Sequence, residues 1–505
     1  MKILNKFFSI FYKNPRWFLF LICFLLVLFF DQKTIPLKKI GYQYIPDATE
    51  ILDEHNFAWL GKSVLTTGVP TAWSDLGAYP AEIKEKFNLK INNFSIQADE
   101  KKPVFKDYRS FPKPLVKIET LDYGKGPMQT RFVQPYLDHP PLAGMIYALG
   151  VKQESQTFAD VDASQFRLPN FWLYRISAIL LFFLASQIYG PLVGLMAFLF
   201  YTTIPSFVFT FRLALAENVM IPFLLSSLNL LFLGKHHQQK IFFVLAGFFA
   251  GLGALTKLSG WSLLLIGFCL MLFYKRSKKE IISFLIPGVL TASLYFLYAW
   301  YLAGGFFWQI ILSQSSRFFW GSFSFFQQIA RVTIKDFPLD GWYLGGFFIL
   351  AYLSFFKKNR ELGIITGVYL FSVLFLGGGN YSWYYFPLFP FLALGIAVLI
   401  KKLMVKFSFI DLGLFFLFPF SSSFYWGFGV LHSEWNLQWL YRGLIIFFLI
   451  LGFLWQSKLK RNPFFKLLFF IFLVFLVHRL YLWNYRSVLY LMANWGKLLP
   501  PLIFR

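Results

Sequence analysis

Long apolar stretches recur along almost the whole chain, and they constrain its fold more than any other feature. We find about thirteen stretches of roughly 15–24 residues, each long enough to cross a hydrocarbon layer of about 30 Å as a helix. A backbone inside lipid must satisfy its own hydrogen bonds, so these stretches predict an all-α polytopic membrane protein. The predicted spans are residues 17–30, 171–189, 191–211, 213–234, 241–257, 259–274, 281–303, 338–356, 361–377, 383–400, 410–430, 437–456 and 464–480.

The composition excludes an ordinary water-soluble globule, because 57% of the residues are hydrophobic and 14% are charged. The net charge of +24 could suggest nucleic acid, but the cations cluster between alternate predicted spans rather than in one basic patch. With about thirteen spans, these basic loops all fall on one side, as expected for a cytoplasmic N-terminus. The basic groups are Lys2, Lys6, Lys13 and Arg16; Lys235 and Lys240; Lys275, Arg276, Lys278 and Lys279; Lys357, Lys358 and Arg360; Lys401, Lys402 and Lys406; and Lys458, Lys460 and Arg461.

The first apolar stretch and the long segment after it have different characters. Lys13 and Arg16 precede the stretch and no small-residue cleavage site follows it, which predicts a retained signal-anchor helix. Residues 47–70 predict a helix whose apolar stripe suits it to lie on the membrane surface. Residues 71–134 mix charges, prolines and short alternating stretches, which predicts a small insertion with strands or irregular structure.

Asp53 and Glu54 form an acidic pair just outside the first span, in a chain where Asp and Glu together number 24 among 505 residues. One interpretation is structural, because acids can cap or solvate an interfacial helix. The other is catalytic, because a carboxylate within reach of an acceptor hydroxyl is a natural general base.

A second polar element, Asp138 and His139, directly precedes Pro140 and Pro141. Proline favours the first turn of a helix, and polar residues before it can cap that helix. The free N–H groups of a helix N-terminus also suit an anionic ligand. His139 is therefore a candidate either for a cap or for a phosphate ligand.

Five elements in order resemble GT-C glycosyltransferases, on the branch of protein O-mannosyltransferases and the transferases that put aminoarabinose on lipid A. Asp53 and Glu54, followed by residues 67–71, resemble the first-loop motif of that family. Residues 138–142 are similar to its second-loop motif, in which Pro-Pro-Leu follows a His or Lys. The other elements are residues 212–217, similar to Arg-Leu-x-Leu-x-Asp; residues 251–257, similar to a Gly-rich span ending in Thr-Lys; and residues 384–393, similar to an aromatic-Pro-Leu-x-Pro segment.

This resemblance, over about residues 40–400, implies an inverting transfer of a sugar from a polyprenyl-phosphate carrier to an acceptor outside the cytoplasm. The acceptor would be a hydroxyl or phosphate of a glycolipid, an envelope polysaccharide or a protein. Asp53 is then expected to be the catalytic base, and cations or N–H groups are expected around the leaving phosphate. Membrane lipids are the other expected partners, and nucleic acid is not. The candidate substrate-binding residues are Glu54, Asp138, His139, Glu217, Lys257, Arg317, Tyr384 and Tyr385.

The chain is accordingly divided into four parts in a multi-pass membrane protein, with the bacterial inner membrane as the expected location. The N-terminus is expected in the cytoplasm and the active site outside it. The parts are the signal-anchor helix 1–30; the extracytoplasmic first loop 31–170 with its 71–134 insertion; the GT-C transmembrane module 171–400; and the C-terminal helices and outer tail 401–505.

Some residues depart from the family pattern or have simpler interpretations. Asn56 stands where the aminoarabinose branch often has Arg, which removes one expected phosphate cation. Glu217 could simply be an acid favoured at the start of a helix, and Lys257 a lysine that extends to the membrane interface. Tyr384 and Tyr385 could be interfacial aromatic residues. A divalent metal is compatible with the acids and His139, but no ligand set has metal spacing.

Two other function classes stay open at this stage. A multi-pass transporter or lipid flippase should carry ionisable groups near the bilayer midplane, whereas the candidate residues gather near one rim of the predicted spans. A non-catalytic scaffold of the cell envelope would keep the fold but tolerate the loss of Asp53.

Overall fold

Helices dominate the computed structural model, as expected for a polytopic membrane protein. Within the part of the chain that the structure describes, four helices are long and apolar enough to cross a membrane, or five if one bent pair counts as a single span. The helical multi-pass architecture is thus confirmed, and the expected count of about thirteen spans is not. The structure describes residues 15–42, 48–79, 86–88, 90–91, 94–95, 115–122, 127–153, 161, 163–316, 340–375, 382–405, 408–426, 437–456 and 463–498.

The helices follow one another through short connections, some of them single turns of 3-10 helix. They are α1 (Pro15–Lys33), α2 (Ile35–Lys38), α3 (Ala48–Thr67), α4 (Leu142–Ala148), α5 (Ala163–Phe166), α6 (Leu168–Tyr189), α7 (Pro191–Thr203), α8 (Pro205–Phe211), α9 (Ala216–His237), α10 (Lys240–Ala254), α11 (Trp261–Phe273), α12 (Lys278–Ala303), α13 (Phe306–Ser315), α14 (Gly341–Ser354), α15 (Arg360–Phe375), α16 (Phe389–Val405), α17 (Phe409–Phe415), α18 (Ser423–Trp426), α19 (Leu437–Gln456) and α20 (Pro463–Leu498).

Proline breaks the predicted span 191–211 into two helices. Pro205 has no backbone N–H and cannot continue the helix that ends at Thr203. Ile204 adopts an extended conformation, and α7 and α8 differ in direction by 66°. One straight helix was therefore the wrong expectation for this stretch.

Helix α3 forms where it was expected, but much of its apolar stripe packs on protein rather than lying on the membrane surface. Trp59 and Leu60 are 3% and 0% exposed, whereas Leu65 is 51% exposed. A Cβ atom placed on Gly61 would lie 1.9 Å from the carbonyl oxygen of Gly144 on α4. The absence of side chains at these two glycines allows α3 and α4 to approach so closely.

The insertion contains strands, as the alternating stretches predicted. β5 and β6 pair antiparallel, with Ile118 opposite Arg131, while β1 pairs antiparallel with β6 and β2 pairs parallel with β5. The sheet order is β1-β6-β5-β2, and β3 and β4 form a separate two-stranded sheet. The strands are β1 (Ala72–Trp73), β2 (Lys86–Asn88), β3 (Lys90–Ile91), β4 (Phe94–Ser95), β5 (Leu115–Asp122) and β6 (Pro127–Gln134).

Several of the basic loops meet at one end of the helical bundle. Arg276 donates a hydrogen bond to the carbonyl oxygen of Lys235 at 2.9 Å, and the Lys235 ammonium lies 3.7 Å from the centre of the Tyr274 ring. The Tyr274 hydroxyl in turn donates to Glu361 at 3.2 Å. These contacts place the connections after α9, α11 and α14 side by side, consistent with the charge pattern that put them on the same side.

The C-terminal helix is longer than expected. The predicted span ended at residue 480, but α20 continues without a break to Leu498, a length of 36 residues or about 54 Å. Its second half belongs to the protein core, because Asn484 and Ser487 are 0% exposed. Tyr425 donates to Asn484 and accepts a 2.8 Å hydrogen bond from the indole of Trp342, so α20 is joined to α14.

Candidate active site

A buried ion pair fixes the helix that carries the acidic pair. Arg167 donates through Nε to Glu54 Oε1 at 2.7 Å and through Nη2 to Glu54 Oε2, and both side chains are fully buried. The backbone N–H of Ala214 donates to Glu54 Oε1 at 2.7 Å, while Arg167 Nη1 donates to the carbonyl of Tyr42 at 2.8 Å. Both carboxylate oxygens of Glu54 are therefore engaged in holding α3 against the start of α6 and the turn before α9.

Asp53, the other member of the pair, is half-buried rather than enclosed. Adjacent residues of a helix project about 100° apart. Because Glu54 points into the protein, Asp53 lies on a different face of α3. Phe57 lies four residues further on and shares that face with Asp53. The ring of His139 stacks on Phe57 with centroids 5.6 Å apart, which brings His139 to the Asp53 side of the helix.

A second buried ion pair lies beside this face. Lys257 Nζ is 2.5 Å from Glu217 Oε1, and the side chains are 7% and 0% exposed respectively. The same ammonium lies 4.1 Å from the centre of the Tyr384 ring, within the range of a cation–π contact. The negative charge of Asp53 also acts on Lys257, more weakly than Glu217 and Tyr384 do, so Asp53 lies within electrostatic range of these three groups.

Four separate elements supply this cluster, with Asp53 on α3. Glu217 stands in the first turn of α9, where the helix dipole favours a negative charge. Lys257 lies in the break between α10 and a 3-10 turn, and Tyr384 lies in the 3-10 segment Ser382–Leu388. The hydroxyl of Tyr369 donates to the carbonyl of Tyr384 at 2.8 Å and fixes its position. Among the described residues, Glu217 Oε2 has no hydrogen-bond partner, so it can still accept a proton donor.

Side-chain amides hold the turn that leads into Glu217. Asn170 on α6 donates to the carbonyls of Arg212 and Leu213 at 3.0 and 2.9 Å. Asn218 donates to the same Leu213 carbonyl at 2.7 Å, and Tyr147 donates to the Leu215 carbonyl at 2.7 Å. The Arg-Leu-Ala-Leu-Ala-Glu element is thus a rigid turn, stabilised by buried polar groups on three helices.

Asp138 occupies a separate buried network. Ser74 donates to Asp138 Oδ2 at 2.6 Å, and Tyr79 donates to Asp138 Oδ1 at 2.9 Å. Burial, and then the Asp138 charge, raise the pKa of Tyr79, which therefore keeps its proton for this hydrogen bond. The Asp138 carbonyl accepts from Gln314 at 3.1 Å, so this aspartate connects the strand-containing insertion with α13.

The structure thus separates the predicted site residues into groups. Asp53, Glu217, Lys257 and Tyr384 come together, and His139 lies on the same face of α3 as Asp53. Glu54 and Asp138 lie in buried structural networks. Tyr385 is buried in apolar packing with its ring 6.0 Å from that of Phe347, and so neither tyrosine lies in an exposed aromatic belt. Arg317 lies outside the described residues.

The structure also shows supporting residues that the sequence did not single out, namely Arg167, Asn170, Tyr147, Ser74 and Tyr79. A polar residue such as Asn170 within an apolar helix is a usable signal, because an uncompensated amide in such a place is costly. Arg167, by contrast, flanks an apolar stretch like many other basic residues of this chain, and its sequence neighbourhood does not identify its partner.

A family model for dolichyl-phosphate-mannose-protein mannosyltransferase matches residues 138–301 of the chain. This stretch includes Arg167, Glu217 and Lys257 but neither Asp53 nor Tyr384. The comparison with curated proteins finds no match.

Solved structures are similar over most of the chain. ArnT from Cupriavidus metallidurans bound to undecaprenyl phosphate is 13% identical, with a TM-score of 0.51 over 94% of this chain and 79% of ArnT. Its apo state is 12% identical, with a TM-score of 0.49 over 95% and 79%. The archaeal oligosaccharyltransferase AglB from Archaeoglobus fulgidus, in complex with an inhibitory peptide and a dolichol-phosphate, is 10% identical, with a TM-score of 0.37 over 81% and 54%. At such identities, the ArnT likeness shows a shared fold.

The chain is thus similar to the mannosyltransferase family in sequence over residues 138–301, and it shares the fold of ArnT over most of its length.

The part of the chain that the structure describes contains no group of three or more His, Cys, Asp or Glu arranged to hold a metal ion. Glu54 is bound on both oxygens by Arg167 and on one of them also by Ala214, and one oxygen of Glu217 is bound by Lys257. Two of the acids suggested as metal ligands are therefore already engaged by cations. What the cluster does offer is a half-buried carboxylate within electrostatic range of an ammonium group, a combination that can accept a proton and stabilise an anion.

Proposed function

We propose that this protein is an inverting membrane glycosyltransferase that moves a sugar from a polyprenyl-phosphate carrier to an acceptor hydroxyl or phosphate. The observation that carries the proposal is the cluster of Asp53, Glu217, Lys257 and Tyr384, in which a half-buried carboxylate shares an electrostatic environment with a buried ammonium. The GT-C fold and the family match give this cluster its chemical context.

Asp53 is the proposed general base. For an acceptor hydroxyl, its carboxylate takes the proton while the acceptor oxygen forms a bond to the anomeric carbon. The bond from that carbon to the phosphate oxygen breaks, and its electron pair leaves with the polyprenyl phosphate. Attack from the side opposite the leaving group gives inversion at the anomeric carbon.

Lys257 is the proposed partner of the phosphate that develops negative charge. Its ammonium is already placed by Glu217 and Tyr384, so little rearrangement is needed when the charge appears. His139 is a proposed second contact, because its ring is on the Asp53 side of α3. Arg317 stays a predicted donor contact.

Glu54, Asp138 and Tyr385 support the site indirectly in this proposal. Glu54 holds α3 so that Asp53 faces the cluster, and Asp138 holds the segment that carries His139. Tyr385 follows Tyr384 in the same 3-10 segment and is buried. Each would influence substrate binding through the position of its neighbour.

The proposed site lies outside the cytoplasm. The basic loops at the other end of the bundle belong on the cytoplasmic side by the positive-inside rule, and the N-terminus is expected on that side as well. A lipid-linked donor is then reached from the outer leaflet of a cell membrane, the bacterial inner membrane in this proposal. The strand-containing insertion beside Asp138 is a natural place for selection among glycolipid, polysaccharide and protein acceptors.

The test uses the purified full-length protein in vesicles that contain polyprenyl phosphates carrying different pentoses and hexoses. Mass spectrometry should detect free polyprenyl phosphate and a glycosylated acceptor when an extract of envelope lipids and glycans is added. Movement of the intact donor lipid across the bilayer, without cleavage of its sugar, would instead identify a transporter. Neither cleavage nor movement, with any donor, would favour the scaffold.

A further inference from the structure

A positively charged cluster lies where α1 and α2 meet α6, away from the proposed catalytic residues. Asp31 at the end of α1 is buried between two cations. Lys38 donates to Asp31 Oδ1, and Arg175 Nη2 lies 2.6 Å from Asp31 Oδ2. Lys38 is fully buried, whereas the Arg175 side chain is 18% exposed. One carboxylate thus organises two cations and cannot neutralise both.

One more cation flanks this centre. Lys39 is exposed, and its ammonium lies 4.8 Å from the centre of the Phe171 ring, which the Arg175 guanidinium also approaches at 5.3 Å. Helices α1, α2 and α6 contain a single acidic residue, Asp31. The cluster therefore contains three cations and one carboxylate, a local excess of positive charge.

The surface around these cations faces lipid. Leu25 and Phe29 on α1 are 56% and 53% exposed, and Trp172 and Ile176 on α6 are 59% and 47% exposed. Exposed apolar side chains on an apolar helix of a membrane protein contact acyl chains. The Arg175 guanidinium lies 5.2 Å from the centre of the Trp172 ring, so the charged and the lipid-facing groups are directly adjacent.

The positions of these residues along their helices correspond to the headgroup level of a bilayer. Lys33 is the last residue of α1, and Arg175 lies two turns inside α6. Tryptophan beside basic residues at the end of an apolar helix is typical of the headgroup level of a bilayer. Arg175 connects that level with the buried pair of Asp31 and Lys38, so the cations are held in position rather than left on flexible surface chains.

We infer that this cluster is a binding site for the phosphate of an anionic membrane lipid, with Lys39 and Arg175 around the phosphate and Trp172 against the acyl chains. Guanidinium and ammonium groups bind phosphate through charge-assisted hydrogen bonds. The neighbouring exposed apolar residues favour a phosphate that arrives with acyl chains over free phosphate. The inference does not depend on the glycosyltransferase proposal, because none of these residues belongs to the catalytic cluster.

The test compares wild type with a Lys39→Gln variant of the full-length protein. Native mass spectrometry would measure binding of phosphatidylglycerol and of phosphatidylcholine in detergent. Each basic residue near a lipid surface contributes about fivefold in affinity for an anionic lipid. We expect wild type to prefer phosphatidylglycerol by about tenfold or more, and Lys39→Gln to lower this preference by about fivefold.

A matched control removes one exposed lysine elsewhere. Lys152 is exposed and lies next to Lys62 of α3, which donates to its carbonyl at 3.0 Å. Lys152→Gln should leave the lipid preference unchanged, and equal thermal melting of both variants would show that folding is intact. Equal losses in the two variants, or no lipid preference in wild type, would overturn the inference. So would displacement of phosphatidylglycerol by millimolar inorganic phosphate, which would indicate a site for free phosphate.

Discussion

Glu54 and Arg167 are 113 residues apart in sequence and form a fully buried ion pair with hydrogen bonds to both carboxylate oxygens. The pair joins α3 to the start of α6, and the N–H of Ala214 adds the turn before α9. The position of Asp53 therefore depends on a contact to which Asp53 itself does not contribute.

Arg167→Leu should strongly destabilise the protein, because it leaves the Glu54 carboxylate buried without its cation. Loss of one partner of such a pair costs about 3–5 kcal/mol. Thermal melting in detergent should show the loss, and a second substitution, Glu54→Gln, should restore part of it. If Glu54 were instead a direct substrate ligand, the single variant Glu54→Gln would have reduced turnover but the same melting temperature as wild type.

Gly61→Ala should separate α3 from α4. The new Cβ would lie 1.9 Å from the Gly144 carbonyl oxygen, and a backbone atom cannot move aside as a flexible side chain can. Overpacking of this kind costs about 1–3 kcal/mol, and we expect a lower melting temperature together with lower turnover. Gly77→Ala is the matched control, since its Cβ would meet nothing within 4 Å. Equal melting of the two variants would mean that α3 does not pack on α4 in this way.

Neutralising the pair of Glu217 and Lys257 should separate stability from activity. Replacement of both, as Glu217→Gln with Lys257→Met, leaves no buried charge unpaired, so the cost in stability should be small. Sugar transfer should nevertheless fall by about 100-fold or more, because the leaving phosphate loses its cation. Turnover close to that of wild type would assign the pair a purely structural role.

Tyr425→Phe should loosen the attachment of the C-terminal helix. The phenol accepts from Trp342 at 2.8 Å and donates to Asn484, and both partners are buried. Loss of the hydroxyl leaves both groups unsatisfied at a cost of about 1–3 kcal/mol each, which melting should detect. Tyr485→Phe is the control. Tyr485 follows Asn484 on α20, and no described residue forms a hydrogen bond with its hydroxyl. Similar melting of the two variants would argue against the network.

Sequence patterns were sufficient for the helical class, since it depends on local composition. Asp53, Glu217, Lys257 and Tyr384 each stood in a motif that resembled the GT-C family. The structure brings Glu217, Lys257 and Tyr384 into contact, with Asp53 within electrostatic range, and their roles stay predictions. The strands of the insertion followed from alternating stretches in the same way.

The sequence could not predict the role of Glu54 or what the apolar face of α3 packs against. An apolar stripe has the same sequence pattern whether it contacts lipid or another helix. The close approach of Gly61 to Gly144 on α4 shows that α3 packs on another helix, and the sequence pattern does not reveal this. Likewise, Glu54 and Asp53 have equivalent chemistry until a distant Arg167 engages one of them. Long-range partners of this kind leave no periodic signal in the chain.

Asp53→Asn is the most direct test of the proposed base. The substitution preserves the shape of the side chain and removes its ability to accept the acceptor proton. Asp75→Asn, the same change at an exposed position, serves as the control. In a purified assay with a polyprenyl-phosphate sugar that wild type uses, we expect Asp53→Asn to lower turnover by at least about 100-fold at unchanged melting temperature and Asp75→Asn to retain it. Wild-type turnover by Asp53→Asn would contradict the proposal that Asp53 is the catalytic base.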